Sequence, residues 1–264
     1  MATATDRIAE LAQDLEAAWT ARRPIEPLSE SAGLELGDAY AVQSAWTALR
    51  VAAGETIDGR KIGLSSPAMQ EQMGVDEPDF GSLWGSRAVA VVDGHGEVPA
   101  DLFLAPRIEG EIALLMGRPV GSATTTPQEI LAATEAIAPA LEIVDSRIAD
   151  WRITIADTVA DNASYGGYAI GPWSAAARDA DLRTIGMVLT RNAEVVAEGV
   201  GRAALGHPAR SAAWLARKLA SFGERLEAGH VVLTGSLARA VPFEQGDTCV
   251  LEMHGMAPLT VRFT

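Results

Sequence analysis

Ten residues near the middle of the chain, Pro106-Arg107-Ile108-Glu109-Gly110-Glu111-Ile112-Ala113-Leu114-Leu115, restrict its fold and its chemistry more than any other stretch. With the two-residue period of a strand, Arg107, Glu109, Glu111 and Ala113 point one way, and Ile108, Ile112 and Leu114 point the other. One face is core; the other carries two carboxylates. Neighbours two apart on a strand face sit about 6–7 Å apart, so bare carboxylates there repel and raise each other's pKa unless a cation lies between them. The pattern suits either a solvated acidic face or the seat of a hard cation.

A second apolar stretch, Pro139-Ala140-Leu141-Glu142-Ile143-Val144-Asp145, reads as another strand and puts Glu142 opposite in sense to Leu141 and Ile143. Three carboxylates with no His or Cys nearby favour an oxygen-seeking ion, magnesium or manganese, over zinc. Between the two strands, Thr126-Pro127-Gln128-Glu129 forms a capping box with proline at the first helical position, predicting a helix through Ile130 and Ile137. A strand–helix–strand unit of that length allows parallel pairing without forcing it.

Composition closes off several classes of function. Twenty-one Lys and Arg against 35 Asp and Glu leave a formal charge of −14, which repels nucleic-acid backbones and anionic membranes. No apolar run approaches the roughly 20 residues of a membrane span, and Met1-Ala2-Thr3-Ala4-Thr5-Asp6 lacks a basic segment followed by an apolar one, so a cytoplasmic protein is expected. The lone Cys249 sits in an apolar alternation and reads as a core thiol. His95, His207, His230 and His254 form no ligand spacing, and neither a Gly-x-Ser-x-Gly elbow nor a phosphate-binding loop is present.

Taken in order, Ile8, Leu11, Leu15 and Trp19 recur at helical spacing, with Pro24 and Pro27 beyond them, and a second helix runs from about Asp38 to Gly54. These make residues 1–55 a helical arm, suited to packing or oligomer contacts, and residues 56–264 a strand-rich remainder; together they read as one domain. Ile57 to Leu64 is a short strand carrying Lys61, either an ordinary surface lysine or a partly buried one whose lowered pKa suits acid–base work. Ser66 and Pro67 open a helical turn that ends at Gly74. Asp76, Glu77 and Asp79 follow in a turn-rich loop, and the polar run Asp157 to Gly167, containing Ser164, reads as a second loop able to line a pocket. A hairpin turning near Asn192, a helix from His207-Pro208 to Gly223, and strands His230–Thr234, Thr248–Met253 and Leu259–Phe263 complete the chain.

Six of these segments, Gly59-Arg60-Lys61-Ile62-Gly63-Leu64, Gly74 to Gly81, Pro106 to Ala113, Pro139 to Glu142, Asp157 to Ser164 and Trp214-Leu215-Ala216-Arg217-Lys218, together resemble the 2-keto-4-pentenoate (2-hydroxypenta-2,4-dienoate) hydratases of the fumarylacetoacetate hydrolase superfamily. The resemblance spans nearly the whole chain. It implies an α+β fold, a mixed β-sheet roll with flanking helices, and a magnesium or manganese ion held by Glu109, Glu111 and Glu142. It also implies Lys61 and Asp79 as acid–base groups, and Ser164 and Ser236 at the substrate, Ser236 being the least constrained of these. The implied reaction adds water to 2-hydroxypenta-2,4-dienoate to give 4-hydroxy-2-oxopentanoate, in the meta-cleavage degradation of aromatic compounds. A homo-oligomer, pentamer or decamer, and a downstream aldolase partner go with it. Two rivals stand beside that reading: a 2-oxo-3-hexenedioate (4-oxalocrotonate) decarboxylase, and a non-catalytic metal-binding subunit.

Overall fold

Helix α1 (Ala4–Ala21) opens the computed structural model, which describes residues 3–264 and leaves Met1 and Ala2, the first residues of the expected arm, outside the described residues. Thr3 and Asp6 cap it reciprocally, and Leu11, Leu15 and Ala18 form its buried stripe. After the short α2 (Leu28–Ser31), α3 (Leu36–Ala52) lies against α1. Then follow β1 (Ile57–Gly63), α4 (Pro67–Met73), β2 (Asp79–Trp84), β3 (Val91–Val92), β4 (His95–Val98), β5 (Arg107–Met116) and α5 (Pro127–Ala133). The middle of the chain adds β6 (Thr134–Val144), α6 (Ile155–Ala160), β7 (Tyr165–Ile170), β8 (Gly186–Arg191) and β9 (Glu194–Val200). It ends with α7 (Pro208–Ser221), β10 (Val231–Leu233), β11 (Val241–Pro242), β12 (Thr248–Met253) and β13 (Leu259–Phe263).

The strands form two mixed sheets, and the expected α+β class holds. One sheet runs β2-β1-β10-β5-β6-β7 with β11 added beside β5; the other runs β3-β4-β13-β12-β8-β9. Among the described residues, only β1 with β10 and β13 with β4 pair in parallel within these sheets. The main core joins the sheets, with Ile108, Ile112, Leu141 and Ile143 of the first meeting Met187, Leu189, Leu251 and Val261 of the second. A second core covers the opposite face of the first sheet, where Leu11, Leu15, Val42 and Trp46 of the arm pack with Leu83, Ala113, Ala140 and Leu233. The arm thus packs on this face, and both faces of β5 are buried. A solvated acidic face is excluded.

Several local expectations need correction. The pairing of β5 with β6, left open by the sequence, is antiparallel, since α5 is too short to act as a crossover: seven residues rise about 10 Å, against more than 30 Å for the ten-residue β5. The α5 helix ends at Ala133, so Ile137 belongs to β6, where β-branched and small residues suit a pleated, buried strand. Asp79 is the first residue of β2 rather than part of a loop. Within the polar run, Asp157 to Ala160 complete α6 and Tyr165 to Gly167 begin β7, leaving only a tight turn between them. The turns at Ser66-Pro67, Asn192-Ala193 and His207-Pro208 lie where expected, and Cys249 is buried. No helix among the described residues is long and apolar enough to cross a membrane.

The arm is anchored by an aromatic cluster. Trp46 is fully buried, meets Trp84 edge-on at 4.9 Å between centroids, and donates its indole N–H to Glu16 at 2.7 Å. Replacing Trp46 by Ala should cost about 3–5 kcal/mol in a urea unfolding experiment; a loss under about 1 kcal/mol would mean that the arm contributes little to the second core.

A buried acidic cluster at the base of a cavity

Strand register brings the acids together. Glu109 of β5 stands directly opposite Glu142 of β6, so both project from one face, and Glu111, two residues on, shares it. The same face can be followed across the sheet: Lys61 of β1 pairs with Leu233 of β10, and Leu233 pairs with Ala113, which shares its face with Glu111 and Glu109. Gly63, two residues beyond Lys61, pairs with Asp79 of β2. Five ionisable side chains from four strands thus point to one side of one sheet, the side roofed by the arm.

All five are buried: Glu111 and Glu142 are 0% exposed, Asp79 2%, Lys61 3% and Glu109 9%. One oxygen from each of Glu109, Glu111 and Glu142 lies within 4.8 Å of the other two. Lys61 Nζ sits 2.9 Å from Glu142 Oε1 as an ion pair and donates a hydrogen bond to the Ala163 carbonyl at 2.8 Å. Gly63 makes room beside it. A side chain there would start 2.1 Å from Asp79 Oδ1 and 3.4 Å from Lys61 Nζ, so the absent Cβ lets carboxyl and ammonium approach the same space.

A divalent cation fits this arrangement on the structure's own terms. Glu111 Oε1 and Glu142 Oε2 are buried and receive no hydrogen bond, whereas Glu142 Oε1 meets the Lys61 ammonium and Glu111 Oε2 accepts from Gly235 N–H at 2.7 Å. Buried anionic oxygens without donors are costly unless a cation completes them. Oxygen spacings below 4.8 Å match ligands about 2.1–2.6 Å from a shared hard ion. Glu109, Glu111 and Glu142 could hold such an ion, while Asp79 Oδ1, also without a donor, stands apart beside Gly63.

Electrostatics reflect the crowding. Burial raises the carboxyls of Glu109 and Glu111, and repulsion from Glu142 adds to it, pushing Glu109 up to about 7 and Glu111 well above the usual range. Asp79 is raised by burial, against the opposing pull of Lys61. For Lys61, burial works against the ammonium, but Glu142, Asp79 and Glu109 outweigh it and raise its pKa. The lowered lysine pKa expected from burial alone is thus reversed, because four carboxyl groups surround a single cation.

The cluster opens through Glu109, Lys61 and Asp79 into a cavity of about 220 Å³, also lined by Ser164, Ser236, Thr158, Met69, Met73, Trp151 and Arg107. All the expected site residues except Glu111 and Glu142 therefore face one space, and those two stand behind Glu109. Ser164 Oγ lies 3.0 Å from Thr158 Oγ1, and Ser236 Oγ donates to Ala238 O at 2.6 Å, leaving its lone pairs free to accept. Thr158 escapes a motif search because a threonine within a helical polar run carries no distinctive pattern.

Between α6 and β7, Asn162, Ala163 and Ser164 all adopt left-handed backbone, with φ of 53°, 53° and 52°. Each such non-glycine residue costs on the order of 1–2 kcal/mol. The residues on either side are held by the buried Arg147 guanidinium, which bonds the Asp161 carboxylate through Nε, the Asp161 carbonyl at 3.0 Å and the Tyr165 carbonyl at 2.7 Å. The arm also supports α6: Ser29 N–H and Oγ both donate to Asp157, and Gln43 donates to the carbonyls of Phe80 and Val159.

Residues 61–264 match the family model described as fumarylacetoacetate (FAA) hydrolase C-terminal. The chain is 40% identical over 255 residues to a 2-keto-4-pentenoate hydratase of Paraburkholderia xenovorans, covering 96% of this chain and 94% of that one. A 2-hydroxyhexa-2,4-dienoate hydratase of Comamonas testosteroni is 40% identical over 254 residues, covering 96% of each. The structure is also similar to that of 4-oxalocrotonate decarboxylase from Pseudomonas putida G7, complexed with magnesium and adipate, with a TM-score of 0.94, 33% identity, and coverage of 100% of this chain and 99% of that one.

The raised carboxyls give a pH test. Their folded pKa values lie above the unfolded ones, so the cluster's contribution to stability is present below about pH 4.5 and is lost as pH rises toward about 7. Metal-free protein should melt lower at about pH 7.5 than at about pH 5, a Glu111→Gln variant should show a smaller drop, and added manganese should recover the loss at the higher pH. Identical profiles for the two proteins, with no response to metal, would count against a mutually repelling cluster.

Proposed function

The chain belongs to the fumarylacetoacetate hydrolase family, and on that footing we propose a metal-dependent hydratase of the 2-keto-4-pentenoate type, a hydro-lyase that converts 2-hydroxypenta-2,4-dienoate or a close homologue into 4-hydroxy-2-oxopentanoate. The observation that carries this reading is the convergence of Glu109, Glu111, Glu142, Lys61 and Asp79 on one buried sheet face that opens into a single cavity.

Glu109, Glu111 and Glu142 are the residues that would hold magnesium or manganese, and the magnesium in the decarboxylase structure favours the former. Such an ion supplies Lewis-acid stabilisation of negative charge on the oxygens of a 2-oxo acid. The remaining work falls to the chain. Lys61, buried against the Ala163 carbonyl and lining the cavity, is placed to hold and pass a proton. Lys61 Nζ and Asp79 Oδ1, flanking the space at Gly63, share the removal of the 2-hydroxyl proton and the delivery of a proton to carbon 5. The resulting 3-ene is electrophilic at carbon 4, where water adds while carbon 3 takes up a proton. Ser164 and Thr158 offer hydroxyls to the substrate from one wall, and Ser236 offers acceptor lone pairs from another.

A purely metal-binding subunit has no use for an Asp79 oxygen left without a donor beside a buried lysine at a cavity wall. The degradation of aromatic compounds, a homo-oligomer built on pentamers and a downstream aldolase remain part of the proposal, as does the packing of arm 1–55 on a catalytic unit formed by 56–264.

Ultraviolet loss of the 2-hydroxydienoate tests the reading. Chelator should abolish it and magnesium or manganese restore it; Glu109→Ala or Glu142→Ala should remove the metal response, and Lys61→Ala or Asp79→Asn should each lower kcat by about 10²- to 10⁴-fold. Carbon dioxide release from 2-oxo-3-hexenedioate at a higher kcat/KM than dienoate hydration would replace this assignment with the decarboxylase.

A further inference from the structure

We propose that Asn162 is a positioning residue for Lys61: it clamps the left-handed turn Asn162-Ala163-Ser164 to β2 and so holds the Ala163 carbonyl against the lysine ammonium. An ammonium has three protons to direct. In this site one goes to Ala163 O at 2.8 Å, and Glu142 Oε1 lies 2.9 Å away on another side. The carbonyl is the neutral partner that keeps Nζ from settling wholly among the carboxylates, leaving a proton free for the cavity that Lys61 lines.

That carbonyl is supplied by backbone that alanine and serine rarely adopt, so its placement depends on what ties the turn down. The Asn162 carboxamide does so in both directions: Ser82 N–H donates to Oδ1 at 2.7 Å, and Nδ2 donates to Ser82 O at 2.9 Å. Gly81 completes the fit, since a Cβ there would lie 2.4 Å from the Asn162 carbonyl oxygen. Arg147 grips Asp161 and Tyr165, on either side of the turn, and Ser164 Oγ turns toward Thr158. Asn162 is the residue whose side chain joins the turn to β2, the strand that also begins with Asp79.

The proposal rests on Lys61 carrying protons, and the experiment separates the two ideas. Asn162→Gly removes the clamp while glycine adopts the required φ at no steric cost, so this variant should melt within a few degrees of wild type and bind manganese unchanged by calorimetry. Its KM for the dienoate should stay within about twofold while kcat falls by about 10- to 100-fold. In a Lys61→Ala background the same change should lower the residual rate by less than about twofold, because residues acting through one group are not additive. Full kcat in Asn162→Gly, or an equal loss with and without Lys61, overturns the assignment. Should Asn162→Gly prove too unstable to assay, Asn162→Asp, which keeps the acceptor for Ser82 N–H and loses the donor, carries the same double comparison. Unimpaired Lys61→Ala sinks the reading of Lys61 and this role with it, whereas impaired Lys61→Ala beside unimpaired Asn162→Gly sinks only the role of Asn162.

Discussion

Four carboxyl groups and one ammonium share an interior face of a sheet, and no arrangement of their charges is neutral without protons or a further cation. Everything local follows from that imbalance. Lys61 offsets one negative charge through Glu142, and the raised carboxyls of Glu109 and Glu111 register the remainder. The antiparallel register opposing Glu109 to Glu142 makes the repulsion unavoidable, and burial of both side chains limits its screening. The cost of this crowding in the ion-free protein and the attraction it offers to a hard cation are two aspects of one field.

The surrounding structure is rigid where that field demands it. Gln43 joins the arm to β2 and α6 through two buried carbonyls, Asp157 ties α2 to the first turn of α6, and Arg147 satisfies carbonyls on both sides of the strained turn. Each is a polar group buried with its partners in place, which is the condition for a polar network to stiffen a core rather than weaken it. The outer wall differs: Met69 and Met73, four residues apart on α4, present adaptable apolar surface to the cavity.

Much of this was legible in the sequence, and the limits have physical causes. The alternation through Glu109 and Glu111 and the apolar stretch around Glu142 identify strands because both elements are long and patterned. Caps at Ser66-Pro67 and Thr126-Pro127 were readable because capping chemistry is local. The direction of β5 against β6 was not, since pairing is decided by the whole sheet. Nor could periodicity distinguish a solvated acidic face from a buried one: that depends on the arm packing onto it, a contact between segments about a hundred residues apart. Lys61 shows the same limit, its pKa direction being set by Glu142, Asp79 and Glu109 together. The polar run at Asp157 to Gly167 reads as one loop because its small residues hide a short helix end and a strand start separated by unusual backbone.

One detail of the sheet order governs when the site can come into being. Strand β10 lies between β1 and β5, so the two halves of the cluster, Lys61 with Asp79 and the three glutamates, are bridged by residues that leave the ribosome more than a hundred positions after Lys61. Until Val231 to Gly235 have been made, the nascent chain has a gap in the middle of its sheet, and the donor that orients Glu111 does not yet exist. A chain that stalls before residue 231 has the acids without the strand that joins the two halves of the cluster.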